Sequence, residues 1–112
     1  MLKKLLFSNL KLLKHADLVI HDGDKKYVFG SKKESLKAEI IVKDQAFYKY
    51  IIFGGSIGAS EAFMNGYWCS PNLTNVIRVF AANQQLTEKL KQNLTSLSSQ
   101  YLKSFIISIK TL

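Results

Sequence analysis

The spacing of the hydrophobic residues changes twice along this chain, and this change limits the folds that it can adopt. Residues 1–15 have the period of a helix, residues 17–42 alternate as strands do, and the helical period returns after Asp44. Strands gathered in one part of a chain and helices in another are typical of an α+β protein. We therefore expect a small antiparallel sheet packed by helices, with helical segments at both ends.

We expect a single domain over residues 1–112, because this length with 47% hydrophobic residues suffices for one core and not for two. Within it we expect an amphipathic helix at 1–15, an α+β core at 16–95 and a helical tail or linker remnant at 96–112. No uncharged apolar stretch reaches the roughly 18 residues that a transmembrane helix needs. The one cysteine, Cys69, excludes a disulfide framework and favours a reducing compartment.

The first predicted helix carries leucines on one side and lysines on the other. The leucines are Leu2, Leu5, Leu6, Leu10 and Leu13, and the lysines are Lys3, Lys4, Lys11 and Lys14. A cationic amphipathic helix can lie in the interface of an anionic membrane, where Leu2, Leu6, Leu13 and the four lysines would contact lipid. The alternative is a helix that docks on its own domain and leaves its lysines solvated.

Three strands are predicted between residues 17 and 42. Residues 18–20 and 27–29 flank an Asp-Gly-Asp turn at 22–24, which indicates a hairpin. A third strand follows, in which apolar residues alternate with charged ones, so that one face is buried and the other is wet. Its apolar residues are Leu36, Ala38, Ile40 and Val42. The simplest assembly is a three-stranded antiparallel sheet.

The helical period after the strands predicts several short helices. One lies around residues 47–51 and stops at the glycine pair 54–55, where glycine permits a tight chain reversal and close helix packing. A second covers 57–64 and is closed by an Asn-Gly pair. A Ser-Pro pair starts a third over 71–80, and leucines at helical spacing continue beyond residue 86.

The charge of the chain favours anionic partners. Sixteen basic residues against eight acidic ones give a net charge of +8, and Arg78 is the only arginine. Lysine lacks the bidentate fork that base reading prefers, so attraction to phosphate in general is favoured over sequence-specific binding. We expect an anionic phospholipid surface as partner and no nucleic acid, because the aromatic residues fall into apolar stripes rather than between lysines.

Two groups of residues imitate known sites but lack the spacing of those sites. Glycines 54, 55 and 58 follow an apolar run, yet neither a dinucleotide-binding nor a P-loop pattern is present. His15 and His21 lie near three aspartates, but nothing makes three or four ligands converge. We predict no catalytic, cofactor-binding or metal-binding residue in this chain. Glu61 is interpreted as an anchor that accepts backbone N–H groups.

The central segment 54–68, GGSIGASEAFMNGYW, is similar to a family motif. It resembles the Gly-x-x-Glu-Ala-Tyr/Phe-Met-x-Gly-x-Trp segment in the amino-terminal domain of bacterial cyclopropane-fatty-acyl-phospholipid synthases. The matching positions are Gly55, Gly58, Glu61, Ala62, Phe63, Met64, Gly66 and Trp68. The likeness covers roughly residues 17–94 and implies that these motif positions belong to a small accessory domain, where they contact the catalytic domain.

Synthases of this family use S-adenosylmethionine to modify unsaturated acyl chains in membrane phospholipids, and their catalytic residues belong to a carboxy-terminal domain outside these 112 residues. The resemblance implies no cofactor here. It implies as partners a phospholipid surface or acyl chains, the methyltransferase catalytic domain and a second copy of the chain, in the cytoplasm at the inner face of the membrane. A fainter likeness to sterol carrier protein type two domains leaves a stand-alone lipid carrier as an alternative, which requires an enclosed apolar pocket. A basic nucleic-acid-binding module is the third.

Overall fold

A computed structural model describes residues 2–86 of the chain. Its elements are, in chain order, α1 (Leu2–Leu10), β1 (Asp17–Asp22), β2 (Lys25–Phe29), β3 (Lys37–Val42), α2 (Ala46–Met64), β4 (Trp68–Cys69) and α3 (Leu73–Ala82). Helices packed on a small sheet confirm the predicted α+β class. The predicted tail at 96–112, and the part of the predicted core from 87 to 95, lie outside the described residues.

The four strands lie in the order β2-β1-β3-β4. The predicted hairpin is confirmed, since β1 and β2 pair antiparallel around the turn, and β3 and β4 also pair antiparallel. The central pair differs, because β1 and β3 run parallel, with Leu18 beside Ala38 and Ile20 beside Ile40. The prediction of a three-stranded, wholly antiparallel sheet is therefore wrong: the sheet is mixed and includes the short β4.

The parallel pair results from the connection at 30–36, which is longer than an ordinary hairpin turn. The buried carboxylate of Asp17 accepts hydrogen bonds from the backbone N–H groups of Lys32 (2.9 Å) and Glu34 (3.1 Å). The Asp17 N–H in turn donates to the Leu36 carbonyl at 2.8 Å. These bonds hold the connection at the start of β1, so β3 leaves from there in the same direction as β1.

The helices cover one face of the sheet. On this face, Leu18 and Ile20 of β1 and Ile40 of β3 each expose at most 1% of their surface. The opposite face carries the exposed Glu39 and the half-buried His21. The alternating pattern predicted for the third strand is therefore confirmed. Fully buried side chains from the helices complete the core, namely Phe47, Ile52, Val76 and Val79.

The first helix docks on its own domain. It ends at Leu10, earlier than the predicted helix over 1–15, and the chain continues in a tight turn in which Leu13 N–H donates to the Leu10 carbonyl at 3.0 Å. The turn directs Leu13 inward, where it joins Leu6 and Leu10 in the core. None of the helices within residues 2–86 has the length and hydrophobicity that crossing a bilayer requires.

A single buried side chain joins the segment after α1 to the end of α3. The Asn83 Oδ1 atom accepts the Lys14 N–H at 2.9 Å, and its Nδ2 atom donates to the Lys14 and Val79 carbonyls, both at 3.0 Å. Both backbone polar groups of Lys14 are satisfied by this one amide. The link explains why the helical conformation is not continued to residue 15.

Candidate functional site

The segment with the family-like motif begins at a sharp bend in α2. Gly55 has φ 57° and ψ −135°, a backbone conformation that is essentially restricted to glycine. Beyond the bend the helix folds back onto its first half, and a Cβ atom at Gly58 would overlap the Tyr50 carbonyl oxygen. The predicted chain reversal and close helix packing at the glycines are confirmed. The two short helices predicted on either side are the two halves of α2.

The second half of α2 ends in a Schellman motif. Gly66 has φ 77°, its N–H donates to the Phe63 carbonyl at 3.0 Å, and the Tyr67 N–H donates to the Ala62 carbonyl at 2.9 Å. The predicted helix end at the Asn-Gly pair is therefore confirmed. This ending turns the chain directly into β4 and places Trp68 under the helix that it has just left.

Trp68 fills the space between the sheet and α2. Its side chain is 4% exposed, and its indole Nε1 donates to the Ala59 carbonyl at 2.9 Å. Its ring meets Phe63 edge-on at 5.1 Å and Phe47 at 6.2 Å between centroids. Trp68 is therefore a core residue, and its polar N–H is paired as burial requires.

An apolar groove of about 650 Å³ lies between the second half of α2 and α3. We call it the α2–α3 groove. Its lining is Ser56, Ala59, Ser60, Phe63, Met64, Trp68, Leu73, Val76, Ile77, Phe80, Ala81 and Gln84. No charged residue between positions 2 and 86 lines this groove, and one wall consists of residues from the family-like motif. Met64 and Ile77 leave 75% and 60% of their surfaces exposed at this groove.

Glu61 does not have the environment that the sequence predicted. No backbone N–H within residues 2–86 donates to its carboxylate, and its Oε2 atom is buried without a hydrogen-bond partner. The Tyr50 hydroxyl is likewise buried without a partner. Burial raises the pKa of Tyr50, and the nearby Tyr67 and Glu61 raise it further. The interpretation of Glu61 as an N–H anchor is therefore wrong, because Glu61 lies six residues beyond the bend at Gly55, past the first turn whose N–H groups are free.

Lys3 is bound within the domain. Its Nζ atom donates to the Asp22 carboxylate at 2.9 Å and lies 4.9 Å from the Tyr27 ring centroid. Burial disfavours ionisation of Asp22, but the bonds from Lys3 and from the Tyr48 hydroxyl (2.7 Å) outweigh it and lower its pKa. The bond to Asp22 raises the pKa of Lys3. Sequence reasoning missed this cluster because Asp22 was read only as a turn residue.

The other predicted membrane-contact residues have different surroundings. Leu6 and Leu13 are buried in the core and Leu2 is half-buried, whereas Lys4, Lys11 and Lys14 are exposed. Two of these lysines line a second groove of about 560 Å³ between α1 and β2. We call it the α1–β2 groove. Its lining is Lys4, Phe7, Ser8, Lys11, Lys26, Tyr27, Val28 and Phe29.

The α1–β2 groove places lysines beside aromatic rings, which sequence reasoning did not expect. The missed residue is Lys26, which shares one face of β2 with Val28, and this two-residue spacing was the available signal. The potential metal ligands do not form a site, since within residues 2–86 no three His, Cys, Asp or Glu side chains converge. His21 Nε2 instead lies 3.7 Å from Glu39 Oε2, and Cys69 is a half-buried free thiol.

Comparison with known proteins adds no relative. No protein-family model matches the chain, and neither a curated protein nor a solved structure matches it. Functional inference therefore depends on the two grooves and on the motif that forms part of one of them.

Proposed function

We propose that this chain is a lipid-binding accessory domain, of the kind that the resemblance to cyclopropane-fatty-acyl-phospholipid synthases implies, and that its α2–α3 groove takes an acyl chain of an anionic phospholipid. The observation that carries the proposal is the uncharged, apolar lining of this groove, one wall of which is the family-like motif. In this proposal the domain is peripheral to a membrane, binds no cofactor and acts beside a methyltransferase catalytic domain.

The chemistry of the α2–α3 groove favours a hydrocarbon ligand. Its volume of about 650 Å³ lies within the roughly 300–1,000 Å³ usual for small-molecule sites. Covering a large aliphatic side chain such as Ile77 contributes about 1.5–3 kcal/mol when burial is complete. A charged ligand such as S-adenosylmethionine would lose hydration there without gaining an ionic partner. The net charge of +8 adds attraction to anionic headgroups.

The shape of the groove favours a membrane-apposed domain over a stand-alone carrier. A carrier must enclose its lipid to transport it through water, whereas residues 2–86 leave the α2–α3 groove open along one side and Met64 and Ile77 largely exposed. An open groove with an apolar rim can be covered by the membrane that supplies the acyl chain. The carrier therefore remains the weaker alternative.

Trp68 provides a direct test, because it is the only tryptophan and lines the groove. We expect phosphatidylglycerol vesicles with brominated acyl chains to quench its fluorescence, since bromine quenches an indole only at close range. Ile77→Gln removes an apolar rim residue that is 60% exposed and should weaken binding by about 1–1.5 kcal/mol, roughly tenfold. The matched control is Ile57→Gln, because Ile57 is 72% exposed but does not line the groove.

Three results would contradict the proposal. Binding to vesicles without quenching of Trp68 would place the acyl chains elsewhere, and equal losses in Ile77→Gln and Ile57→Gln would show no preference for the groove. The third result is a loss of quenching when a methyltransferase catalytic domain is added and no unbrominated lipid is present. It would make the groove a protein-docking surface instead. Unbrominated vesicles of the same composition serve as the fluorescence control.

A further inference from the structure

The α1–β2 groove collects positive charge from two separate parts of the chain. Lys4, Ser8 and Lys11 are spaced by four and three residues, so they share one face of α1 and its first following turn. Lys26 comes from β2 on the other side of the groove. Three lysines therefore line one concavity, and none of its lining residues between positions 2 and 86 is acidic.

These three charges are not neutralised within the described part of the chain. Lys4, Lys11 and Lys26 make no ion pair with any residue from 2 to 86, in contrast to Lys3, which lies 2.9 Å from the Asp22 carboxylate. β2 is also an edge strand, so backbone N–H groups on its outer side have no partner strand within residues 2–86. Ammonium groups and the N–H donors of an edge strand together suit a ligand with several anionic oxygens.

The aromatic residues of this groove are poorly placed to stack on nucleobases. The Phe7 and Tyr27 rings pack in a tilted arrangement (49° between planes) at 4.5 Å between centroids, and Lys3 Nζ lies 4.9 Å from the Tyr27 centroid. A base-stacking platform needs a free ring face, and these faces are occupied. Val28, at 41% exposure, instead offers an aliphatic surface beside the lysines. The surroundings therefore favour lipid phosphate over nucleic acid.

We propose that the α1–β2 groove is the surface that docks on an anionic phospholipid membrane, with Lys4, Lys11 and Lys26 bound to lipid phosphates. The choice of a membrane as partner rests on the proposed lipid function, but the groove itself is separate from the α2–α3 groove. The docking surface is a groove formed by a helix and a strand. It is not a helix that inserts its leucines, because Leu6 and Leu13 are committed to the core.

The test compares two triple variants of the full chain. Lys4→Gln/Lys11→Gln/Lys26→Gln changes the groove, and Lys33→Gln/Lys43→Gln/Lys49→Gln changes three exposed lysines outside it. Each removes three of the eight net positive charges. Co-sedimentation is measured with mixed phosphatidylglycerol and phosphatidylcholine vesicles at several salt concentrations. A lysine held near an anionic surface is worth about fivefold in binding, so we expect roughly a hundredfold loss for the groove variant.

The control variant should lose less than about fivefold, and its salt dependence should stay close to that of the parent chain. Equal losses in both variants would overturn the proposal in favour of diffuse attraction by net charge. Unchanged vesicle binding with increased self-association of the groove variant would mean that Lys26 only protects the edge strand from pairing. Tight binding of a single-stranded oligouridylate, lost in the groove variant while vesicle binding persists, would assign the groove to nucleic acid.

The outcome can be separated from that of the acyl-chain proposal. If the groove variant still binds vesicles and Trp68 is still quenched by brominated chains, only the docking surface is refuted. If Trp68 is never quenched but the groove variant loses vesicle binding, the docking surface stands and the acyl site falls.

Discussion

The close contact inside α2 predicts that alanine has opposite effects at two neighbouring glycines. At Gly58 an added Cβ would overlap the Tyr50 carbonyl oxygen and lie 2.8 Å from its carbonyl carbon. At Gly54 no atom of residues 2–86 beyond its chain neighbours and the adjacent helix backbone lies within 4 Å of the corresponding position. Gly58→Ala should therefore destabilise the domain, whereas Gly54→Ala should stabilise it slightly, although both substitutions add one methyl group to the same helix.

The magnitude follows from the atoms that must move. Carbon atoms in good contact are about 3.5–4.0 Å apart, so the two halves of α2 must separate by roughly 1 Å at Gly58. Because the obstructing atoms are backbone, no rotamer change can relieve the overlap, and overpacking of this kind costs about 3 kcal/mol. Alanine regains up to about 1 kcal/mol of helix propensity. The net loss for Gly58→Ala is about 2–3 kcal/mol, against a gain of about 0.5–1 kcal/mol for Gly54→Ala.

Urea denaturation followed by Trp68 fluorescence measures both changes, because the single tryptophan lies between α2 and the sheet. For a chain of this size the Gly58→Ala midpoint of thermal unfolding should also fall by roughly 8–12 °C. A rise in stability for both variants would refute the fold-back of α2 at Gly55. A loss of stability in both variants would show that the space around position 54 is smaller than in the structure.

Two further predictions concern Trp68 and the Lys3–Asp22 pair. Trp68→Ala should lower the free energy of unfolding by about 3–5 kcal/mol and Trp68→Phe by about 1–2, since phenylalanine loses mainly the bond to Ala59 and some volume; circular dichroism with urea measures both. Because the pKa of Asp22 is held below its usual 3.8, its ionic stabilisation is present above that pH and is lost below it. Lys3→Met should therefore flatten the fall in urea midpoint from about pH 5 to about pH 3; equal slopes would contradict this.

Local patterns in the sequence were sufficient for most of the elements. Alternation identified β3, the Asp-Gly-Asp turn identified the hairpin, and the glycines marked both the bend and the end of α2. These features depend on residues close together in the chain. The parallel pairing of β1 and β3 depends on Asp17, whose carboxylate holds the backbone of Lys32 and Glu34. An aspartate at a strand start has no sequence signal that distinguishes this role from a solvated one.

The candidate sites were only partly accessible to the same reasoning. The motif pointed to the residues around Trp68 that form one wall of the α2–α3 groove. The groove itself arises only when the folded-back half of α2 lies against α3. For α1, the predicted lysine stripe is only partly present, because Lys11 and Lys14 lie beyond the end of the helix at Leu10 and Lys3 is bound by Asp22, 19 residues away. Lys26 lines the same groove from another element. Charge patterning describes one helix at a time, whereas both contacts arise between elements.

The amide of Asn83 has a consequence for the order in which the chain matures on the ribosome. Asn83 and its partner Lys14 are 69 positions apart, and translation at about 5–20 residues per second separates their synthesis by roughly 3–14 s. During that interval the apolar side of α1, with Leu6 and Leu10, has no completed core to join. The segment after α1 is thus synthesised well before the one side chain that satisfies both backbone polar groups of Lys14, and a nascent-chain chaperone can bind there until α3 has emerged.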